Sequence, residues 1–220
     1  MADVHVAAAL SELGTATLGE SGARTMAPRL RAVWAGARLA APVYPVSCTP
    51  GDNLAVHVAV AAAPPGCALV VAVGHVPERG YWGEVLTTAA LAHGLAGLVI
   101  DGCVRDVEAL ERHRFPVFSS GVALPGASKA APGRAGAPTE VGGVTVSPGD
   151  WVVGDADGVV VVDEDRLDDV LAAGRARTAK EAGLFAELRR GATTIELLSL
   201  DPSPVEVTPP GPELRGDVQH

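Results

Sequence analysis

Three continuous apolar runs constrain the fold of this chain more than any other feature. ALVVAV (68–73), AGLVID (96–101) and PVFSSGVA (116–123) are of strand length and do not alternate polar with apolar, the pattern of strands covered on both faces. GEVLTTAALAHG (83–94) lies between the first two. It places Val85, Leu86, Ala89 and Ala90 on one side of a helix, with Gly94 as its stop. Gly102 is expected to turn the chain, so that RDVEALER (105–112) starts a further helix before the third run. A strand–helix–strand–helix–strand order implies an α/β layer with parallel pairing.

The flanks add to this layer. Residues 3–13 read as a short helix with Val6, Leu10 and Leu13 at helical spacing, and residues 14–34 carry no clear period. Residues 37–46 read as a strand ending in a turn, and GDNLAVHVAVAAAPPG (51–66) as a loop, a short helix and a Pro-Gly stop. Residues 124–140, rich in Gly, Pro and Ala, read as a long loop of the kind that often carries function. VGGVTV, PGDWVVGD and DGVVVVD (141–163) alternate short apolar runs with turns, as antiparallel strands do. Residues 163–191 form an amphipathic helix whose acidic start and basic end suit the helix dipole, with Leu167, Val170, Leu171, Leu184, Phe185 and Leu188 on its buried face. The expected organisation is one domain over 1–200 and a Pro-rich tail over 201–220.

Composition narrows the function. Aromatics make up 4% of the 220 residues and the formal net charge is -9, so the chain offers neither stacking platforms nor attraction for nucleic acid or anionic membranes. Cys48, Cys67 and Cys103 are odd in number and form no CxxC, which argues against a disulfide framework or zinc cluster and for a reducing compartment. No apolar run reaches the roughly 18 residues of a membrane span, and the N-terminus lacks the basic region of a signal peptide. The expected location is the cytoplasm.

Two helix starts carry the candidate chemistry. Gly83-Glu84-Val85-Leu86 and Arg105-Asp106 both fall at the C-terminal edge of the strands, where α/β layers bind ligands. A helix start offers free N–H groups to an anion, Arg105 a bidentate contact to a carboxylate or enolate, and Asp106 a hard oxygen ligand for a divalent ion. By pattern alone such an Arg-Asp pair is more often a helix cap with a surface ion pair than an active site. His57 and His93 read as packed or exposed helix residues, His75 as a loop residue for which a place near substrate is the minority reading, and Cys103 as a small buried residue.

WGEVLTTAALAHGLAGLVIDGCVRDVEAL (82–110) resembles the core motif of the RraA-like family of class II 4-hydroxy-4-methyl-2-oxoglutarate/4-carboxy-4-hydroxy-2-oxoadipate aldolases. GDNLAVHVAV, PVFSSGV and VSPGDWVVGDADGVVVV match its flanking segments in order, so the resemblance spans residues 37–190. Its signature is an acidic residue, twenty residues, then Arg-Asp: here Glu84 and Arg105-Asp106. The resemblance implies a compact α/β/β sandwich of the swivelling-domain-like type, assembled as trimers or hexamers with the active site between subunits. It implies that Gly83, Glu84, Val85 and Leu86 bind the pyruvyl part of the substrate, that Arg105 contacts substrate and that Asp106 holds Mg2+ or Mn2+. A Glu from a neighbour's C-terminal helix completes such a site; Glu181 is the best match and Glu187 the second. A non-catalytic branch inhibits ribonuclease E and loses the acidic partner or the Asp. Retention of Glu84, Arg105 and Asp106 favours the enzyme. Ala109 in place of an acidic residue, TATLGESG (15–22) and the loop 124–140 depart from the family pattern and bear on the substrate.

An aldolase of this type must stabilise a pyruvate enolate. A Schiff base needs a desolvated Lys, and neither Lys129 nor Lys180 lies in an apolar setting. A divalent ion on Asp106 is the remaining route. The expected reaction is cleavage or formation of a 4-hydroxy-2-oxo acid, with oxaloacetate decarboxylation through the same enolate. The acidic groups Glu84 and Glu181 are candidates to position the base. The alternatives are a ribonuclease-binding regulator and a lyase of specialised metabolism; a methyltransferase lacks the Gly-rich loop it needs.

Overall fold

The computed structural model describes residues 2–208. The elements run α1 (Ala2–Gly19), β1 (Arg24–Thr25), β2 (Arg31–Ala32), β3 (Leu39–Cys48), α2 (Leu54–Ala62), β4 (Ala68–Ala72), α3 (Glu84–Ala92), β5 (Gly97–Val104), α4 (Val107–Arg112), β6 (Val117–Val122), β7 (Gly133–Ala135), β8 (Thr139–Val141), β9 (Val144–Val146), β10 (Trp151–Gly154), β11 (Val159–Val162), α5 (Leu167–Arg189) and α6 (Thr194–Leu198). The contacts divide into two compact units after Thr178.

In the first unit one strand joins two kinds of sheet. Leu39–Pro42 of β3 pairs antiparallel with β10, while Val43–Ser47 pairs parallel with β4. The strand order is β1-β11-β10-β3-β4-β5-β6-β2, with β7 also on β3. The parallel half (β3, β4, β5, β6) is the layer that the apolar runs imply: Leu69, Val70, Val71, Leu98, Val99, Ile100, Val117 and Phe118 are fully buried. Burying such side chains from both faces supplies about 1.5–3 kcal/mol each, which fixes the parallel strands. The antiparallel half builds a second core. There α1 and the start of α5 lay Leu10, Leu18, Val170 and Leu171 on Trp151, Val153, Val160 and Val162.

Three local features differ from expectation. Gly102 does not turn the chain; β5 runs on to Val104, with a register shift between Ile100 and Cys103. A Cβ on Gly102 would lie 2.7 Å from Val73 Cγ2, so the glycine serves close packing. Helix α4 therefore starts at Val107 and leaves Arg105 ahead of it. Residues 124–140 contain β7, which adds to β3. The helix α1 is longer than its apolar period and changes direction at Gly14, whose φ of 75° is left-handed.

In the second unit, α6 is capped by Thr193, whose hydroxyl accepts from the Glu196 N–H while the Glu196 carboxylate accepts from the Thr193 N–H. Helix α5 runs through residues of both units, and its buried positions, Val170, Leu171 and Gly174, belong to the first. Leu167, Leu184 and Leu188 are half-buried and Phe185 is exposed within the single chain. Among the described residues no helix is long and apolar enough to cross a membrane.

Candidate active site

The site forms where β3, β4, β5 and β6 end. After β4 the chain loops to Tyr81 and Trp82, which pair with the end of β5: the Tyr81 N–H donates to the Cys103 carbonyl at 3.0 Å and the Arg105 N–H to the Trp82 carbonyl at 2.9 Å. Trp82 is buried, stacks on Phe115 at 5.8 Å and donates its indole N–H to Thr87 Oγ1 at 2.7 Å. These contacts fix the start of α3 beside Arg105-Asp106. A Cβ on Gly83 would stand 2.4 Å from Asp106 Oδ2, and one on Gly80 would stand 3.0 Å from Arg105 Cδ. Only glycine lets the two segments meet.

Asp106 caps α4 from the left-handed region, at φ 60° and ψ 39°. That conformation costs about 1–3 kcal/mol in a residue with a side chain, and Asp is among the few types that adopt it readily. The strain aims the carboxylate at α3, where Oδ2 accepts the Glu84 N–H at 2.9 Å. Arg105 Nε lies 3.9 Å from the same oxygen. Helix geometry leaves the next N–H groups, of Val85 and Leu86, without intrahelical acceptors, ready for an anion.

Gly83, Val85, Leu86, Arg105 and Asp106 therefore share one pocket of about 140 Å³. That size suits a compact acid of few carbons rather than a dinucleotide. The Glu84 carboxylate does not line it: Oε1 lies 3.3 Å from His113 Nε2 and 3.5 Å from Arg112 Nη2, on the outer side of the Arg105-Asp106 corner. Glu181 lies on α5 beyond Thr178, in the second unit. His75 and Cys103 line a separate cavity with Arg29 and Asp101. Burial pushes the Cys103 thiol up from its ordinary value, as an inert buried cysteine should be. Lys129 and Lys180 are both exposed.

The rest of the pocket wall did not stand out in the sequence. It comes from Asn53, His57, Gly80, Gly126, Ala127 and Lys129. Asn53 precedes α2, is 4% exposed and donates from Nδ2 to the Tyr81 carbonyl at 2.8 Å. Its Oδ1 and the Nε2 of His57 are buried and have no hydrogen-bond partner. Each such atom costs about 1–3 kcal/mol unless something occupies the space beside it. Burial and then the Lys129 cation lower the His57 pKa, against the opposing pull of Asp52. The signal for this wall was the spacing of GDNLAVH: residues four apart on a helix start face the same way.

The donor set fits a divalent ion of the Mg2+ kind. Asp106 presents one half-exposed carboxylate beside a cradle that a Cβ at Gly83 would fill. Among the described residues no cluster of three or more His, Cys, Asp or Glu groups forms a protein cage. Magnesium commonly takes one or two carboxylates and fills its other positions with water and substrate.

A sheet-edge pocket in an α/β fold joins a helix start, an arginine and a single carboxylate, an arrangement that can hold a small anion. The RraA-like family model, described as Aldolase/RraA, matches residues 5–161, and the chain belongs to that family. A relative from Halalkalibacterium halodurans, named "Putative 4-hydroxy-4-methyl-2-oxoglutarate aldolase", is 35% identical over 64% of this chain and 67% of its own length. An uncharacterized protein from Pseudomonas syringae has a similar structure, with a TM-score of 0.77 and 27% identity over 86% of this chain and 90% of that one. RraAS2 of Streptomyces coelicolor, described as an unusual member of the RNase ES inhibitor RraA protein family, gives a TM-score of 0.70 at 25% identity over 86% and 98%.

Proposed function

We propose that this protein is a divalent-metal-dependent aldolase of the cytoplasm that cleaves or forms a 4-hydroxy-2-oxo acid through a pyruvate enolate, with oxaloacetate decarboxylation as a side activity. The observation that carries this reading is the Asp106 carboxylate, held by the start of α3 and placed beside Arg105 in one small pocket. The aldolase name of its relative supports it.

Arg105 and the N–H groups of Val85 and Leu86 bind the carboxylate and orient the 2-oxo acid. Asp106 would hold Mg2+ or Mn2+, and such an ion, when bound, supplies Lewis-acid stabilisation of the enolate oxygen. The Arg105 guanidinium adds a fixed positive charge where negative charge develops, an electrostatic contribution that is commonly the largest in such reactions. Leu86 and Trp82 exclude water from one side. We assign the Glu181 of a neighbouring copy as the acidic group that completes the site, in a homotrimer or hexamer; the expected role of the Glu84 carboxylate is dropped, because it turns to His113 and Arg112 and only its N–H meets Asp106.

Pyruvate release from 4-hydroxy-2-oxo acids and from oxaloacetate, measured with and without EDTA, tests this reading. We expect turnover that EDTA abolishes and that Asp106→Ala lowers by about 100-fold or more. Chelator-insensitive turnover, or full activity in Asp106→Ala, refutes the metal role. The likeness to the Streptomyces coelicolor protein favours a second reading, a protein-binding regulator. It predicts no turnover and a measurable complex with a ribonuclease.

A further inference from the structure

We propose that His57 is the general base that takes the proton from the C4 hydroxyl of the substrate; this rests on the aldolase reading above. Arg105, Asp106 and Gly83 form one part of the pocket wall. The loop after β6 starts there: the Gly80 N–H donates to the Pro125 carbonyl at 2.8 Å, and a Cβ on Gly126 would stand 3.6 Å from Arg105 Nη1. The loop then crosses to the start of α2. There the Asn53 N–H donates to the Ser128 carbonyl at 2.9 Å, and the Asp52 carboxylate accepts from the Ser128 hydroxyl at 2.7 Å and from the Ala130 N–H at 2.6 Å. Lys129 and His57 thus belong to the stretch of wall that the loop reaches after leaving Arg105 at Gly126. A 2-oxo acid whose carboxylate is held at Arg105 directs its C4 hydroxyl toward that stretch.

His57 has the properties the role needs. Its Nε2 is buried and has no hydrogen-bond partner in the protein, so no protein group competes for its lone pair. The charged groups that act on it are Lys129 on the loop and Asp52 before its own helix; Arg105 and Asp106 line the same pocket. Burial and Lys129 favour the neutral imidazole, which is the form that accepts a proton. The Glu84 carboxylate, by contrast, points at His113 and Arg112.

The step balances. The C4 O–H bond breaks and its proton passes to His57. The oxygen's electron pair forms the C4 carbonyl, and the C3–C4 bond breaks with its electrons entering the enolate. Solvent protonates C3, and the imidazolium returns its proton to solvent. Decarboxylation of oxaloacetate reaches the same enolate without any hydroxyl proton to remove.

The test is His57→Gln, assayed on a 4-hydroxy-2-oxo acid and on oxaloacetate. The ratio of cleavage to decarboxylation is expected to fall by about 100-fold. An unchanged ratio, whether both activities persist or both collapse, overturns the role. In Lys129→Met the loss of the cation raises the imidazole pKa, so the acid limb of the cleavage profile moves to higher pH while that of decarboxylation stays. A limb that does not move also overturns it. A wild-type protein that turns over neither compound removes the aldolase reading itself, and His57 with it; an active wild type matched by His57→Gln removes His57 alone.

Discussion

At the residue scale the site depends on how closely two chain segments approach. Gly83 has an extended φ of -167°, which alanine adopts without strain. Gly83→Ala therefore tests the contact alone, because the new Cβ would stand 2.4 Å from Asp106 Oδ2 and 3.2 Å from Arg105 Cγ. The carboxylate must move by about an ångström, a displacement that can cost on the order of 100-fold in rate. We expect that loss in pyruvate release with a lowering of the thermal midpoint of only a few degrees; full activity would show that Asp106 does not need its place on α3. Arg105, Asp106 and the Gly83–Leu86 segment were legible because a spaced motif carries them. Asn53 and His57 were not: an apolar helix start such as DNLAVH gives the same pattern whether its polar residues meet solvent or a pocket.

At the element scale the loop after β6 is a clasp. Burial acts to raise the pKa of the nearly inaccessible Asp52, but N–H groups of Ala130, Leu54 and Ala131 and the Ser128 hydroxyl outweigh it and hold the carboxyl well below the ordinary range. A carboxylate with a depressed pKa stabilises the fold fully above its unfolded value of about 3.9 and loses that contribution as pH falls toward the folded value. Asp52→Asn is therefore expected to lower the thermal midpoint at pH 7 but to converge with the wild type as the pH falls below about 4, measured by calorimetry. Because the same clasp carries Gly126, Ala127 and Lys129 into the pocket, KM for the 2-oxo acid should rise roughly tenfold. A constant difference in midpoint down to the acid limit would sink the linkage. The strands and helices of the parallel layer were readable from periodicity, since burial on both faces leaves a continuous apolar record. The clasp was not. Asp52 holds Ser128 and Ala130 across more than seventy residues, and no local pattern encodes a partner that distant. Gly102 misled for a related reason: a glycine that admits Val73 against a strand looks the same as one that turns.

At the scale of the whole molecule, the single chain leaves work undone. The sequence gives α5 one amphipathic face along its length, yet that face is buried only at Val170, Leu171 and Gly174, and Phe185 is 50% exposed. Around the Arg105-Asp106 corner, Val85, Val122 and Leu124 are 78%, 58% and 81% exposed. Apolar side chains beside a polar site are the usual mark of a surface that another protein covers. With Glu181 on the later part of α5, the proposed assembly pairs the Asp106 of one copy with the Glu181 of the next. Subunit mixing tests this arrangement. Asp106→Ala and Glu181→Gln are each expected to be nearly inactive alone. In randomly mixed cyclic oligomers about a quarter of the sites would combine an intact Asp106 from one chain with an intact Glu181 from its neighbour. Mixing the two variants after dissociation should therefore restore about that fraction of wild-type pyruvate release. Failure to restore any activity, in oligomers shown by mass to contain both variants, would place both residues in the same chain's site and refute the shared one.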